Sequence, residues 1–119
     1  MDEMIRQQLE SAGIDTTDLM ERLMSNMTLI SRFCKRFPTD TNYDKMIAGI
    51  QAGDAEVAFQ GAHALKGVCG NLSMKGILQV LEPVVEKLRV GSFDGVNELL
   101  PAIDAEYRKV VDTIESIQW

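Results

Sequence analysis

Gly61-Ala62-His63-Ala64-Leu65-Lys66-Gly67-Val68-Cys69-Gly70-Asn71-Leu72 reads as the middle of a helix, and it contains the only histidine in 119 residues. At about 100° per residue, Ala58, Leu65, Val68, Cys69 and Leu72 gather on one side, and His63 points almost directly away from them. The imidazole is therefore expected to face water or a partner. Lys66 and Gly67, three and four positions on, and Gly70, seven on, share its side, so the ring has a cation beside it and bare backbone around it. A glycine inside a helix costs about 1 kcal/mol relative to alanine. Two of them around one exposed imidazole call for a reason.

A nucleophilic histidine that must meet a bulky partner supplies that reason. Neutral imidazole is a good nucleophile near neutral pH. Glycine at the next turn removes the side chain that would obstruct an approaching group, and lysine one turn away offers an ammonium to phosphoryl oxygens. A lone surface histidine is ordinarily no more than a polar residue. Lys66, Gly67 and the opposed apolar stripe tip the balance toward chemistry.

The run His63-Ala64-Leu65-Lys66-Gly67, followed by Gly70-Asn71-Leu72, resembles the signature of the histidine-containing phosphotransfer (HPt) domain, the phosphoryl carrier of multistep two-component relays. The resemblance extends from about Ile14 to the C-terminus. It implies that His63 is the phosphoacceptor, through Nε2, that Lys66 favours the phosphoryl group electrostatically, and that Gly67 admits the partner. Two positions depart from the pattern. Ser73 stands where the family often has glycine, and is read here as a serviceable helix cap. Val85 lies near where many members place a glutamine or glutamate that hydrogen-bonds the imidazole, so that support is missing or moved to Glu82 or Glu86.

The whole chain is expected to form one domain, residues 1–119, because its length and 45% apolar content suit a single core. Eighteen acidic against twelve basic residues give a formal charge of −6, which argues against nucleic-acid binding. Cys34 and Cys69 are isolated and read as reduced, buried small residues, which implies a cytoplasmic setting. The acidic start Met1-Asp2-Glu3-Met4 is unlike a signal peptide, and no stretch approaches the roughly 20 apolar residues of a membrane span.

The three prolines, at 38, 83 and 101, and the lack of strand-like alternation indicate an all-α chain. Residues 2–12 form a short leading helix stopped at Gly13. Asp15 caps a helix through about Ser25 carrying Leu19, Met20, Leu23 and Met24, and Asn26 starts another carrying Met27, Ile30, Phe33, Cys34 and Phe37 until Pro38. Thr39 to Asn42 link to a helix with Tyr43, Met46, Ile47 and Ile50. Ala52-Gly53-Asp54 turns the chain, with Asp54 capping the His63 helix. Ser73 caps a helix with Ile77, Val80, Leu81, Val84 and Leu88, bent at Pro83 and ended at Gly91. A last helix runs from Val96 to Ile117, with Pro101 either bending it or sitting in its first turns. Four of these are long enough to pack as an antiparallel up-down four-helix bundle, with one or two extra short N-terminal helices, and such a bundle is expected to be monomeric. Met20, Met24, Met27 and Met46 are assigned to packing. Phe59, within roughly 40° of His63 on the helix, belongs either to a docking patch with Gly67 and Gly70 or beneath the N-terminal helices.

The leading functional expectation is a phosphorelay carrier: His63 takes a phosphoryl group from a receiver-domain phospho-aspartate and delivers it to another. The expected partners are response-regulator receiver domains and a hybrid sensor kinase. No Gly-rich phosphate loop or nucleotide motif is present, so no autokinase activity is expected, no cofactor is assigned, and magnesium would come with the receiver. A non-catalytic helical adaptor docking through Phe59, His63 and Gly67 is the alternative. Metal binding is disfavoured, because one histidine and two distant cysteines lack ligand spacing. The initiating methionine and closing Trp119 favour a free-standing relay protein over a module of a larger sensor kinase.

Overall fold

Helix boundaries follow from side chains that take up the free backbone N–H groups of a first turn. The Asp2 carboxylate accepts from Met4 and Ile5, Asp15 from Asp18, Asn26 from Leu29 and Asp54 from Val57. These four residues open α1 (Glu3–Ser11), α2 (Thr16–Arg22), α3 (Met27–Arg36) and α5 (Ala55–Asn71). A 3-10 turn at Phe37–Thr39, containing Pro38, ends α3 and leads into α4 (Asn42–Gln51). α6 (Lys75–Arg89) runs on through Pro83, and α7 (Val96–Ser116) holds Pro101 in its second turn. The computed structural model describes residues 1–119 and has no strand, so the chain is all-helical. None of its helices is long and apolar enough to cross a membrane.

α4, α5, α6 and α7 pack as successive neighbours around one cluster of 26 buried residues, with α1, α3 and the 3-10 turn set against α7. The tightest of these contacts is α4 on α5. A Cβ at Gly61 would stand 2.5 Å from the Met46 nitrogen and 2.8 Å from the Asn42 carbonyl oxygen, and one at Gly49 would press into the Ala58 backbone. Both glycines are there because two backbones touch. At the far side of the core the Tyr43 and Tyr107 rings stack at 4.1 Å, and the Tyr43 hydroxyl donates to Asp104 at 2.7 Å, tying α4 to α7. Burial, with the Asp104 carboxylate beside it, raises the Tyr43 hydroxyl above the usual tyrosine range.

Two expectations fail, both at helix ends. The second helix stops at Arg22 rather than near Ser25, because Met24 and Ser25 both take left-handed backbone angles, φ 52° and 55°. Met24 is consequently 84% exposed and packs nothing, whereas Met46 is fully buried and Met20 and Met27 are half-buried. Ser73 does not cap α6; Met74 occupies that position. Ser73 sits buried at φ 54°, a left-handed conformation that suits glycine and strains other residues by roughly 1 kcal/mol.

The serine is held there by partners far along the chain. Its hydroxyl donates to Asp18 at 2.7 Å, and its carbonyl accepts the Asp15 N–H at 2.9 Å. Asp18 also accepts from Arg22 at 2.7 Å and lies 3.6 Å from Lys75. The Arg22 hydrogen bond, and after it that from Ser73, pulls the Asp18 carboxyl down to about 2. The start of α2 is thereby fastened to the turn between α5 and α6.

Gly61→Ala should lose about 1–3 kcal/mol of stability despite alanine's higher helix propensity, because a methyl group at that contact must push α4 off α5; urea unfolding reads the difference. Cys34 and Cys69 are free, and burial pushes both thiols up to about 12. Both should therefore resist iodoacetamide at pH 8 in the native protein and react once it is unfolded.

Candidate functional site

The α4 contact sets how α5 is turned about its own axis. Gly61 and His63 are two residues apart, which on a helix is about 200°. Seating Gly61 against α4 therefore turns His63 outward. Ala58, Ala62, Leu65 and Cys69 are fully buried and Leu72 nearly so, Val68 is half-buried, and His63 is exposed. The outward direction expected for the imidazole is the one found. Neither ring nitrogen is hydrogen-bonded within the chain, so both are accessible to a partner.

Phe59 lies beside the ring, with the two centroids 5.3 Å apart and the planes inclined at 46°. It is half-buried against the core, and the Arg89 guanidinium of α6 lies over its face at 5.0 Å. The ring thus stands between His63 and an arginine. On the other flank, Lys66 Nζ is 4.0 Å from Glu82 Oε1, at the outer limit of an ion pair, with side-chain exposures of 35% and 57%. α5 and α6 run in opposite directions, which the pairs Phe59 with Arg89 and Lys66 with Glu82 both show.

Val85 is fully buried in the core and offers nothing to His63. Glu82 is directed to Lys66, and Glu86 lies 3.4 Å from Arg89. Neither glutamate hydrogen-bonds the imidazole. The sequence left those two as candidate supports, and both serve cations instead.

The glycines of α5 divide into two kinds. Gly61 is filled space, as described above. Gly67 and Gly70 are the opposite: a Cβ at either would meet nothing within 4 Å. Packing requires neither of them, and each removes a side chain from the surface that continues from His63 toward the C-terminal end of α5.

That surface leads to a groove the sequence did not disclose. Leu23 of the α2–α3 turn, Phe33 of α3, Phe37 of the 3-10 turn, and Val68 and Leu72 of α5 line an opening of about 490 Å³, to which Arg22, Arg36 and Asp40 add charged side chains. Asn71, one turn beyond Gly67 on the same side of α5, borders it. Two stretches separated in sequence, 22–40 and 68–72, build it, and no periodicity along one helix could reveal it. Arg89 was equally hidden, although the short α5–α6 turn, counted outward in both directions, places it opposite Phe59. No three His, Cys, Asp or Glu side chains converge in a way that would hold a metal ion.

No family model, curated protein or solved structure matches the chain. The site's reading therefore rests on its own geometry and on the resemblance of the His63 segment.

Because Gly67 supports no packing, Gly67→Ala should stabilise the protein by about 0.5–1 kcal/mol, and Gly70→Ala by less, since it lies in the last turn of α5. Thermal melting followed by circular dichroism measures both shifts; a loss of stability at Gly67 would show that the site is misread.

Proposed function

We propose that the chain is a histidine phosphotransfer carrier of the HPt kind, acting between receiver domains of a two-component relay. The observation that carries this is the pairing of an outward imidazole with two glycines that the fold does not need. A structural histidine requires no cleared ground beside it. A nucleophile that must enter another protein's active site does, because the acceptor nitrogen has to come within about 3–3.5 Å of a phosphorus atom held inside a partner.

In the step we propose, Nε2 of neutral His63 attacks the phosphorus of an aspartyl phosphate on the receiver. The P–N bond forms as the P–O bond breaks. The receiver regains its carboxylate, and the imidazole, still protonated at Nδ1, carries the phosphoryl group as a cationic ring. No proton is gained or lost, and the reverse sequence delivers the group to a second receiver. Lys66 supplies positive charge to the transferring oxygens, and the receiver supplies magnesium. This chain contributes positioning and a nucleophile; it needs neither nucleotide nor cofactor of its own.

In this reading α4 to α7 form the antiparallel up-down four-helix bundle, with α1 to α3 as the short N-terminal additions, and residues 1–119 make one phosphotransfer unit. It acts as a monomer, because the bundle covers its own apolar faces. Two free, buried thiols suit the reducing cytoplasm in which such relays work. Receiver domains and a hybrid sensor kinase are the partners. A standard interface covers about 800 Å² on each side, so a domain centred on His63 also spans the neighbouring groove, five to nine residues along α5, and gains an apolar seat there.

The groove would equally serve a non-catalytic adaptor that binds receivers without accepting phosphate. One experiment separates the two. Incubation with a phosphorylated receiver domain should place an acid-labile, base-stable label on the wild-type chain, and His63→Gln should abolish it with helicity and receiver binding unchanged. Binding without label on the wild type would establish the adaptor, and label retained on the His63→Gln variant would move the acceptor elsewhere.

A further inference from the structure

Lys66 lies one turn from His63 and Arg89 lies over its neighbour Phe59, and α6 provides a carboxylate for each cation. Lys66 faces Glu82 at 4.0 Å, and Arg89, lying over Phe59, has Glu86 at 3.4 Å. These two positive and two negative side chains cancel in formal charge. A phosphoryl group on the ring disturbs that balance, because its dianionic oxygens, only partly offset by the cationic ring, come to a place where Lys66 is already engaged. We propose that Glu82 is a counter-charge that competes with the phosphoryl group for Lys66, so that the loaded carrier is a more willing donor than its histidine and lysine alone would make it. This inference rests on the phosphotransfer reading and concerns the energy of the loaded state.

Lys66 is a flexible stem ending in a compact charge with three donors, and it can turn either to Glu82 or toward a group on His63 one turn away. Turning to the phosphoryl group gives up Glu82 and leaves a carboxylate beside a dianion, a like-charge arrangement that raises the energy of the loaded form. The free form bears no such penalty. Glu82 therefore shifts the equilibrium away from phosphohistidine and toward an accepting aspartate. Glu86 stands one turn further along α6 and is occupied with Arg89, so the effect falls on Glu82 first. Both members of the Lys66–Glu82 pair are partly exposed, which keeps the expected effect in the range measured for exposed pairs. A two- to fourfold change in an equilibrium ratio is of that order.

Phosphoramidate loads histidine directly and needs no receiver. At a fixed ratio of phosphoramidate to ammonia, the ratio of loaded to free His63 should rise about threefold in Glu82→Gln relative to wild type. Glu82→Asp should stay close to wild type because it keeps the charge. The rise should be smaller when Lys66→Met is also present, because only the direct repulsion between Glu82 and the phosphoryl group is then relieved, and the threefold difference should shrink in 1 M salt, where exposed charges are screened. Urea unfolding of Glu82→Gln should match wild type, since that side chain is exposed. Loading equal to wild type, a fall in loading, or the same rise with Lys66→Met present would each overturn the proposal. Failure of any receiver to exchange phosphate with the wild-type chain would instead strike the relay reading and leave the loading comparison to decide this one.

Discussion

The contact between the backbones of α4 and α5 is the constraint from which the rest of the structure follows. Gly61 against Met46 and Gly49 against Ala58 leave no space for a side chain, so α5 has only one orientation about its axis that brings the two helices together. That orientation buries Ala58, Ala62, Leu65 and Cys69 and, half a helical turn away, displays His63. The direction of the imidazole is thus a consequence of packing on the opposite face of the same helix. Nothing that touches the histidine itself is needed to aim it.

Around that helix the fold divides its labour between apolar and polar attachments. α4 to α7 meet along buried side chains, whereas the beginning of α2 is fixed by a small polar group: Asp18 with Arg22, Ser73 and Lys75. Ser73 accepts a strained backbone in exchange for a buried hydrogen bond to Asp18 and another from its carbonyl to Asp15. That arrangement anchors the α2–α3 turn beside the C-terminal end of α5, where Leu23, Phe33 and Phe37 meet Val68 and Leu72 to form the groove.

The helices themselves were largely legible because their determinants are local. Asp15, Asn26 and Asp54 announce helix starts by residue type and position, and each does in space what its place in the chain implies. The side on which His63 stands was legible for the same reason, since the stripe from Ala58 to Leu72 is a property of one helix. Ser73 was misread because the partner that holds it, Asp18, is 55 residues away. Met24 was misread because apolar spacing continues past the point where the backbone leaves the helix. The groove, Arg89 over Phe59, and Glu82 facing Lys66 all depend on which elements become neighbours, and single-helix patterns carry no record of that.

The empty space beside Gly67 and Gly70 has a consequence for how this sequence can change over time. Alanine is one nucleotide substitution away from any glycine codon, and at both positions folding alone would welcome it. On the relay function proposed above, glycine at these positions serves the partner surface that has to lie against that stretch of bare helix.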